Sequence, residues 1–145
     1  MMKIFIVNGP NLDMLGKREP SIYGSDSLES INAELVEFCK TIDVVPEFYQ
    51  TNSEGGLVDI IHSARENADA IVLNAGAYTH YSIAVRDAIS AAETPCVEVH
   101  LSNVHKREDF RRVSMISAVC DGVICGFGKN VYKFAVIALS EAYNK

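Results

Sequence analysis

Five short apolar runs recur along this 145-residue chain, at residues 3–7, 44–49, 70–73, 96–99 and 122–125. They are rich in Ile, Val and Phe and run without polar alternation, the pattern of strands buried on both faces. Between them, apolar residues return at intervals of three and four. Asp26 or Ser27 can cap a helix with Glu29 in its first turn, and Leu28, Ile31, Leu35, Phe38 and Ile42 then mark one side of it. A second helix starts near Glu54-Gly55-Gly56 and turns Leu57, Ile60, Ile61, Ala64 and Ala68 inward. A third covers 81–92, with Ala84, Ala88, Ile89 and Ala92 inward, and a shorter fourth lies near 107–119. The last covers 130–143, with Phe134, Ala135, Ala138 and Leu139 inward. Strand and helix alternate about five times, which predicts a single α/β domain over 1–145: a parallel sheet between two layers of helices.

The polar residues are not scattered. Asn8-Gly9-Pro10-Asn11, Thr51-Asn52-Ser53-Glu54, Asn74-Ala75-Gly76-Ala77-Tyr78-Thr79-His80 and His100-Leu101-Ser102-Asn103 each follow an apolar run, and the fifth run opens into Gly126-Phe127-Gly128. In a parallel sheet all these positions share the carboxyl edge, outside which ligands bind. Five strands in this length suit a flavodoxin-like order better than a six-stranded dinucleotide fold. The longest irregular stretch, 8–25, carries Pro10, Gly16, Pro20 and Gly24; a loop of that length in one domain is commonly an active-site lid.

A net charge of −6 argues against a nucleic-acid partner, though local arginines can still bind a small anion. The opening apolar run is too short for a signal peptide or a membrane span, so no membrane association is expected. Cys39, Cys96, Cys120 and Cys125 lie in or beside apolar runs without metal spacing, which predicts buried free thiols and a reducing, cytoplasmic setting.

Four groups carry candidate chemistry. Arg18 and Tyr23 share the long loop. A guanidinium favours a phenolate, so the pair can act as a base; a surface arginine beside a packed tyrosine is the plainer alternative. Glu98 and His100 share one strand face, where the carboxylate can orient the imidazole as a general acid or base; a core histidine satisfied by its neighbour is the alternative. Asn11 and Asn74 suit hydroxyl or enolate oxygens, or serve turns, as Asn8 is expected to. Arg107 and Arg111, at helical i, i+4 spacing, either grip a carboxylate or pair with Glu108 and Asp109 on a solvated face. His80 and Asp87 add a polar set around the third helix, and Leu101-Ser102-Asn103 offers a carboxylate cradle. The glycines form neither a dinucleotide nor a Walker loop, and the four histidines lack metal spacing, so neither a nucleotide cofactor nor a metal is expected.

Taken together, the segments Asn8-Gly9-Pro10-Asn11-Leu12, Gly16-Lys17-Arg18-Glu19-Pro20, Tyr23-Gly24, Gln50-Thr51-Asn52-Ser53-Glu54-Gly55, Asn74 to His80, Arg86-Asp87-Ala88, Glu98 to Asn103 and Arg107 to Arg111 closely resemble the type II 3-dehydroquinate dehydratases. The resemblance implies a flavodoxin-like three-layer sandwich with a five-stranded parallel sheet. It implies dehydration of 3-dehydroquinate to 3-dehydroshikimate without a cofactor, in the shikimate pathway or, alternatively, in quinate catabolism. It implies a homododecamer built as four trimers. It casts Tyr23 as proton acceptor, Arg18 as stabiliser of its phenolate, Asn11 as enolate stabiliser, and His100, held by Glu98, as proton donor. Asn74, His80, Asp87, Leu101, Ser102 and Arg111 would bind substrate, with Asp87 serving a neighbouring subunit and Arg107 ordering the site. Two positions depart from the usual pattern, Ala75 where proline is usual and Val131 where glycine is frequent, and both concern backbone geometry. Two rivals share the fold: a hydrolase or transferase with Ser102 as nucleophile beside His100, which a covalent acyl-type inhibitor would reveal, and a flavin- or phosphate-binding module, which would purify yellow or carry a phosphate loop after the first strand.

Overall fold

The computed structural model describes residues 1–17, 19–23 and 26–144, apart from the side chains of Pro20 and Tyr23. Five parallel strands form its centre: β1 (Met2–Asn8), β2 (Val44–Gln50), β3 (Ala70–Asn74), β4 (Cys96–His100) and β5 (Gly122–Cys125), in the order β2-β1-β3-β4-β5. This is the flavodoxin-like order, whose direction reverses between β1 and β3. The helices are α1 (Pro20–Tyr23), α2 (Leu28–Lys40), α3 (Glu54–Asn67), α4 (Ile83–Ala92) and α5 (Asn130–Tyr143).

The period of two along each strand divides the core into two layers. Ile4 and Ile6 of β1 face one way and pack with Ile31 and Leu35 of α2 and Ala135 and Leu139 of α5. Phe5 and Val7 face the other way, toward Leu57 and Ile61 of α3 and Val85 and Ile89 of α4. Each of α2, α3 and α4 starts on a serine whose hydroxyl accepts an early N–H: Ser27 from Ser30, Ser53 from Gly56 and Ser82 from Val85, at 3.0–3.1 Å. Ser27, not Asp26, is therefore the cap of α2.

Four expectations need correction. Residues 107–119 form no α-helix; short 3-10 turns occupy Val104–Lys106, Asp109–Arg112 and Ser117–Val119. The Ser114 hydroxyl takes the N–H groups of Ile116 and Ser117, and the Thr79 carbonyl takes that of Met115, so the backbone there is engaged outside an α-helical ladder. In α5, Phe134 and Ala138 point outward, and the buried stripe is Val131, Tyr132, Ala135, Val136 and Leu139. In α4, Val85 replaces Ala84 in the core. Of the four free thiols, Cys39 and Cys96 are buried, whereas Cys120 and Cys125 are only partly so. The two departures from the family pattern fit their places: Ala75 has φ −76°, an angle proline also adopts, and Val131 is fully buried. Among the described residues, no helix is long and apolar enough to cross a membrane, and no His, Cys, Asp and Glu cluster could hold a metal.

Candidate active site

The carboxyl edge is drawn tight where β1 and β3 end. Asn8 and Asn74 are register partners, and the Gly9 N–H donates to the Asn74 carbonyl at 2.7 Å. A Cβ at Gly9 would lie 2.6 Å from the Ala75 carbonyl oxygen, so only glycine lets the two chains leave the sheet this close together. Beyond it Asn11 takes a left-handed φ of 69°, which asparagine tolerates, and its N–H donates to Asn52 Oδ1 at 3.0 Å. Beneath this turn the Tyr132 hydroxyl of α5 donates to Asn8 Oδ1 at 2.5 Å and accepts from Asn74 Nδ2 at 3.2 Å. Burial pushes the Tyr132 phenol well above its ordinary pKa, so it remains a neutral tether. Asn8 therefore has a structural task, while Asn74 reaches both the tether and the cavity above it.

Glu98 and His100 occupy one face of β4, 1% and 7% exposed. His100 Nε2 donates to Glu98 Oε2 at 2.5 Å. The other carboxylate oxygen accepts from Ser114 Oγ at 3.0 Å and Ser117 Oγ at 2.5 Å. Burial pushes the Glu98 carboxyl upward, but the hydrogen bonds from His100, Ser117 and Ser114 and the charge of His100 outweigh it and hold the pKa below its ordinary value. With Nε2 committed to Glu98, Nδ1 is the nitrogen left to exchange a proton with a ligand. The ring of His80 lies roughly parallel, its centroid 6.2 Å from that of His100. Its Nδ1 donates to the Val113 carbonyl at 2.8 Å, and its pKa is lowered, chiefly by burial and further by the charges of His100 and Arg111. His80 is thus suited to a neutral polar contact.

Asn11, Asn74, His80, His100, Leu101, Ser102, Arg107 and Arg111 line one cavity of about 200 Å³. Arg107 Nη1 donates to Ser102 Oγ at 3.3 Å, and Arg111 Nε donates to Glu108 at 2.9 Å. A larger cavity of about 580 Å³ adjoins it through Leu101, Ser102 and Arg107 and runs under Ser21 and Ile22 of α1. The smaller cavity is lined by His100 of the titratable pair and is the candidate reaction site. The structure thus gathers eight predicted or weighed residues around one space, with Glu98 behind them. Asp87 is not among them: it is exposed on α4 and does not line the cavity. Arg18 lies outside the described residues. Tyr23 ends α1, and its side chain lies outside the description.

Residues 2–140 match the family Dehydroquinase class II. The chain belongs to this family. It is 57% identical over 140 residues to the 3-dehydroquinate dehydratase of Jannaschia sp. (strain CCS1), covering 97% of this chain and 95% of that protein. It is 55% identical to that of Pelotomaculum thermopropionicum, covering 94% and 95%. The crystal structure of type II dehydroquinase from Butyrivibrio crossotus superposes with a TM-score of 0.93 at 46% identity, covering 96% of this chain and 97% of that one. That from Propionibacterium acnes gives 0.94 at 39% identity, covering 97% of each.

Against this class II dehydroquinase background, three side chains at the site escaped the sequence. Tyr132 was hidden by the apolar character of α5, although a tyrosine in such a stripe signals a buried partner. Ser114 and Ser117, three residues apart, were read as part of a helix.

Proposed function

We propose that this class II dehydroquinase dehydrates 3-dehydroquinate to 3-dehydroshikimate by a trans elimination through an enolate, in the shikimate pathway. The observation that carries the assignment of roles is the buried Glu98–His100 pair opening onto an amide- and arginine-lined cavity. Tyr23, as phenolate beside Arg18, takes the proton at C2, which the adjacent ketone acidifies. Asn11 stabilises the enolate oxygen, through a bridging water in this reading. The C1–O bond then breaks, His100 delivers its proton to the departing hydroxyl, and water leaves. Asn74, His80, Arg111 and the Leu101–Ser102 segment hold the substrate hydroxyls and carboxylate.

An α-keto proton is acidic enough that a tuned base and enolate stabilisation suffice, so the chemistry requires neither a metal nor an imine. No described lysine is among the residues lining the reaction cavity. We assign a cytoplasmic setting and a homododecamer of four trimers. The exposed position of Asp87 on α4 supports its service to a neighbouring subunit's site. Borohydride added with 3-dehydroquinate should leave activity intact; substrate-dependent inactivation with a lysine adduct would contradict the mechanism.

A further inference from the structure

We propose that Ser114 and Ser117 are positioning residues of the acid step: their hydroxyls hold the Glu98 carboxylate and stabilise the charge left on it when His100 gives up its proton. The inference rests on the elimination proposed above and assigns a role to the two serines behind the pair.

The geometry carries it. Glu98 is a buried acid whose oxygens are divided between two tasks. Oε2 accepts from His100, and Oε1 accepts from Ser114 and Ser117. A hydroxyl donates to a carboxylate more strongly than to a neutral acid, so both contacts favour the ionised form. Before proton transfer, imidazolium and carboxylate form a pair with no net charge. After transfer His100 is neutral, and Glu98 retains a full negative charge inside the protein. The two hydroxyl dipoles are already aimed at that charge and need not reorient during the reaction. They favour the state in which the proton has left and the charge rests on Glu98.

The two serines differ in a way that helps separate function from folding. Ser114 Oγ also accepts the N–H groups of Ile116 and Ser117, so it shapes the turn as well. The Ser117 hydroxyl is directed to Glu98, while fully buried Ile116 anchors the same turn in the core. Removing the Ser117 hydroxyl therefore tests the electrostatics with least damage to the fold. Other groups also face the pair: His80 from the turn after β3, Arg111, Arg112 and His105 around the cavity behind it, Cys125 from β5 and Cys96 from β4 itself. All of them are retained in Ser117→Ala.

The experiment compares wild type, Ser117→Ala and Ser117→Thr over a pH series with 3-dehydroquinate. Ser117→Ala should lower kcat about tenfold with KM changed less than about twofold, a fraction of the roughly 10²–10⁴-fold that a positioned acid supplies. The basic limb of its kcat profile should move to higher pH, because His100 then holds its proton more tightly. Ser117→Thr, which keeps the hydroxyl, should restore both. In parallel, NMR titration of 15N-histidine in the same three proteins should show the His100 imidazole titrating higher in Ser117→Ala. An unmoved His100 titration would overturn the inference, even if the protein failed to turn over the substrate. Absence of turnover in wild type, with the titration shifted as expected, would instead overturn the reaction assignment alone. A fall in kcat with an unmoved pH profile would reduce Ser117 to a structural role and likewise overturn the inference.

Discussion

The proposed acid and base halves of the site are built in different ways. The acid half stands on β4, in the interior of the sheet, with Glu98 and His100 almost fully buried and bonded on several sides. The segment proposed to carry the base lies between β1 and α2 and forms a 3-10 turn at Leu12–Met14 and the four-residue helix α1. Asp13, Met14, Lys17, Glu19, Ser21 and Ile22 on that segment are exposed. A carboxylate that must stay charged away from water needs fixed donors around it, and a central strand flanked by ordered turns supplies them. A group that must meet a substrate entering from solvent is better carried on an exposed segment.

Ways to break this contrast differ in size. His100→Ala should lower kcat by about 10³-fold, measured by enone absorbance. The variant should remain folded, and a loss of less than about tenfold would place the acid elsewhere. Glu98→Gln should damage both activity and folding, because it breaks a buried pair and its serine contacts; a loss of about 3 kcal/mol in urea unfolding is expected. The equivalent change on the exposed segment, Lys17→Met, should leave stability within about 0.5 kcal/mol of wild type.

The pH dependence sharpens the same point. The Glu98 carboxyl is depressed below its ordinary value of 4.5 in the folded protein. Its stabilising contribution is therefore fully present above about that pH and is lost as pH falls toward the folded-state value. Glu98→Gln should flatten the stability profile in that acidic window. An unchanged acid-side slope would mean that the carboxylate is not held as described.

Smaller effects concern the frame under the site. Gly9→Ala should cost about 1–3 kcal/mol, since the added methyl meets the Ala75 carbonyl. Tyr132→Phe removes the hydroxyl between Asn8 and Asn74 and should cost about 1–2 kcal/mol, with a modest rise in KM as Asn74 loosens.

The strands were legible because continuous apolar runs of this length have few other uses, and their ends marked the carboxyl edge directly. Glu98 and His100 were legible for the same reason: a charged residue inside a buried strand demands a partner. The inward side of α5 was not, because Val131, Ala135, Val136, Ile137, Ala138 and Leu139 leave an almost wholly apolar helix with little angular preference. The turns over 104–119 were hidden by side-chain contacts of Ser114 and by the Thr79 carbonyl, which come from distant parts of the chain or from local competition with the helix. Arg18 and Tyr23 lie on a segment without period; the residues suggested the pair, but its preference over the plainer alternative came from the family resemblance rather than from spacing.

The proposed elimination takes its base from the exposed segment and its acid from β4. Its most direct test adds 3-dehydroquinate to wild type and to Tyr23→Phe and follows ultraviolet absorbance of the conjugated enone product. A rise with wild type that nearly vanishes in Tyr23→Phe is expected. An equal rise in both would place the base elsewhere, and no rise from folded wild type would contradict the reaction itself.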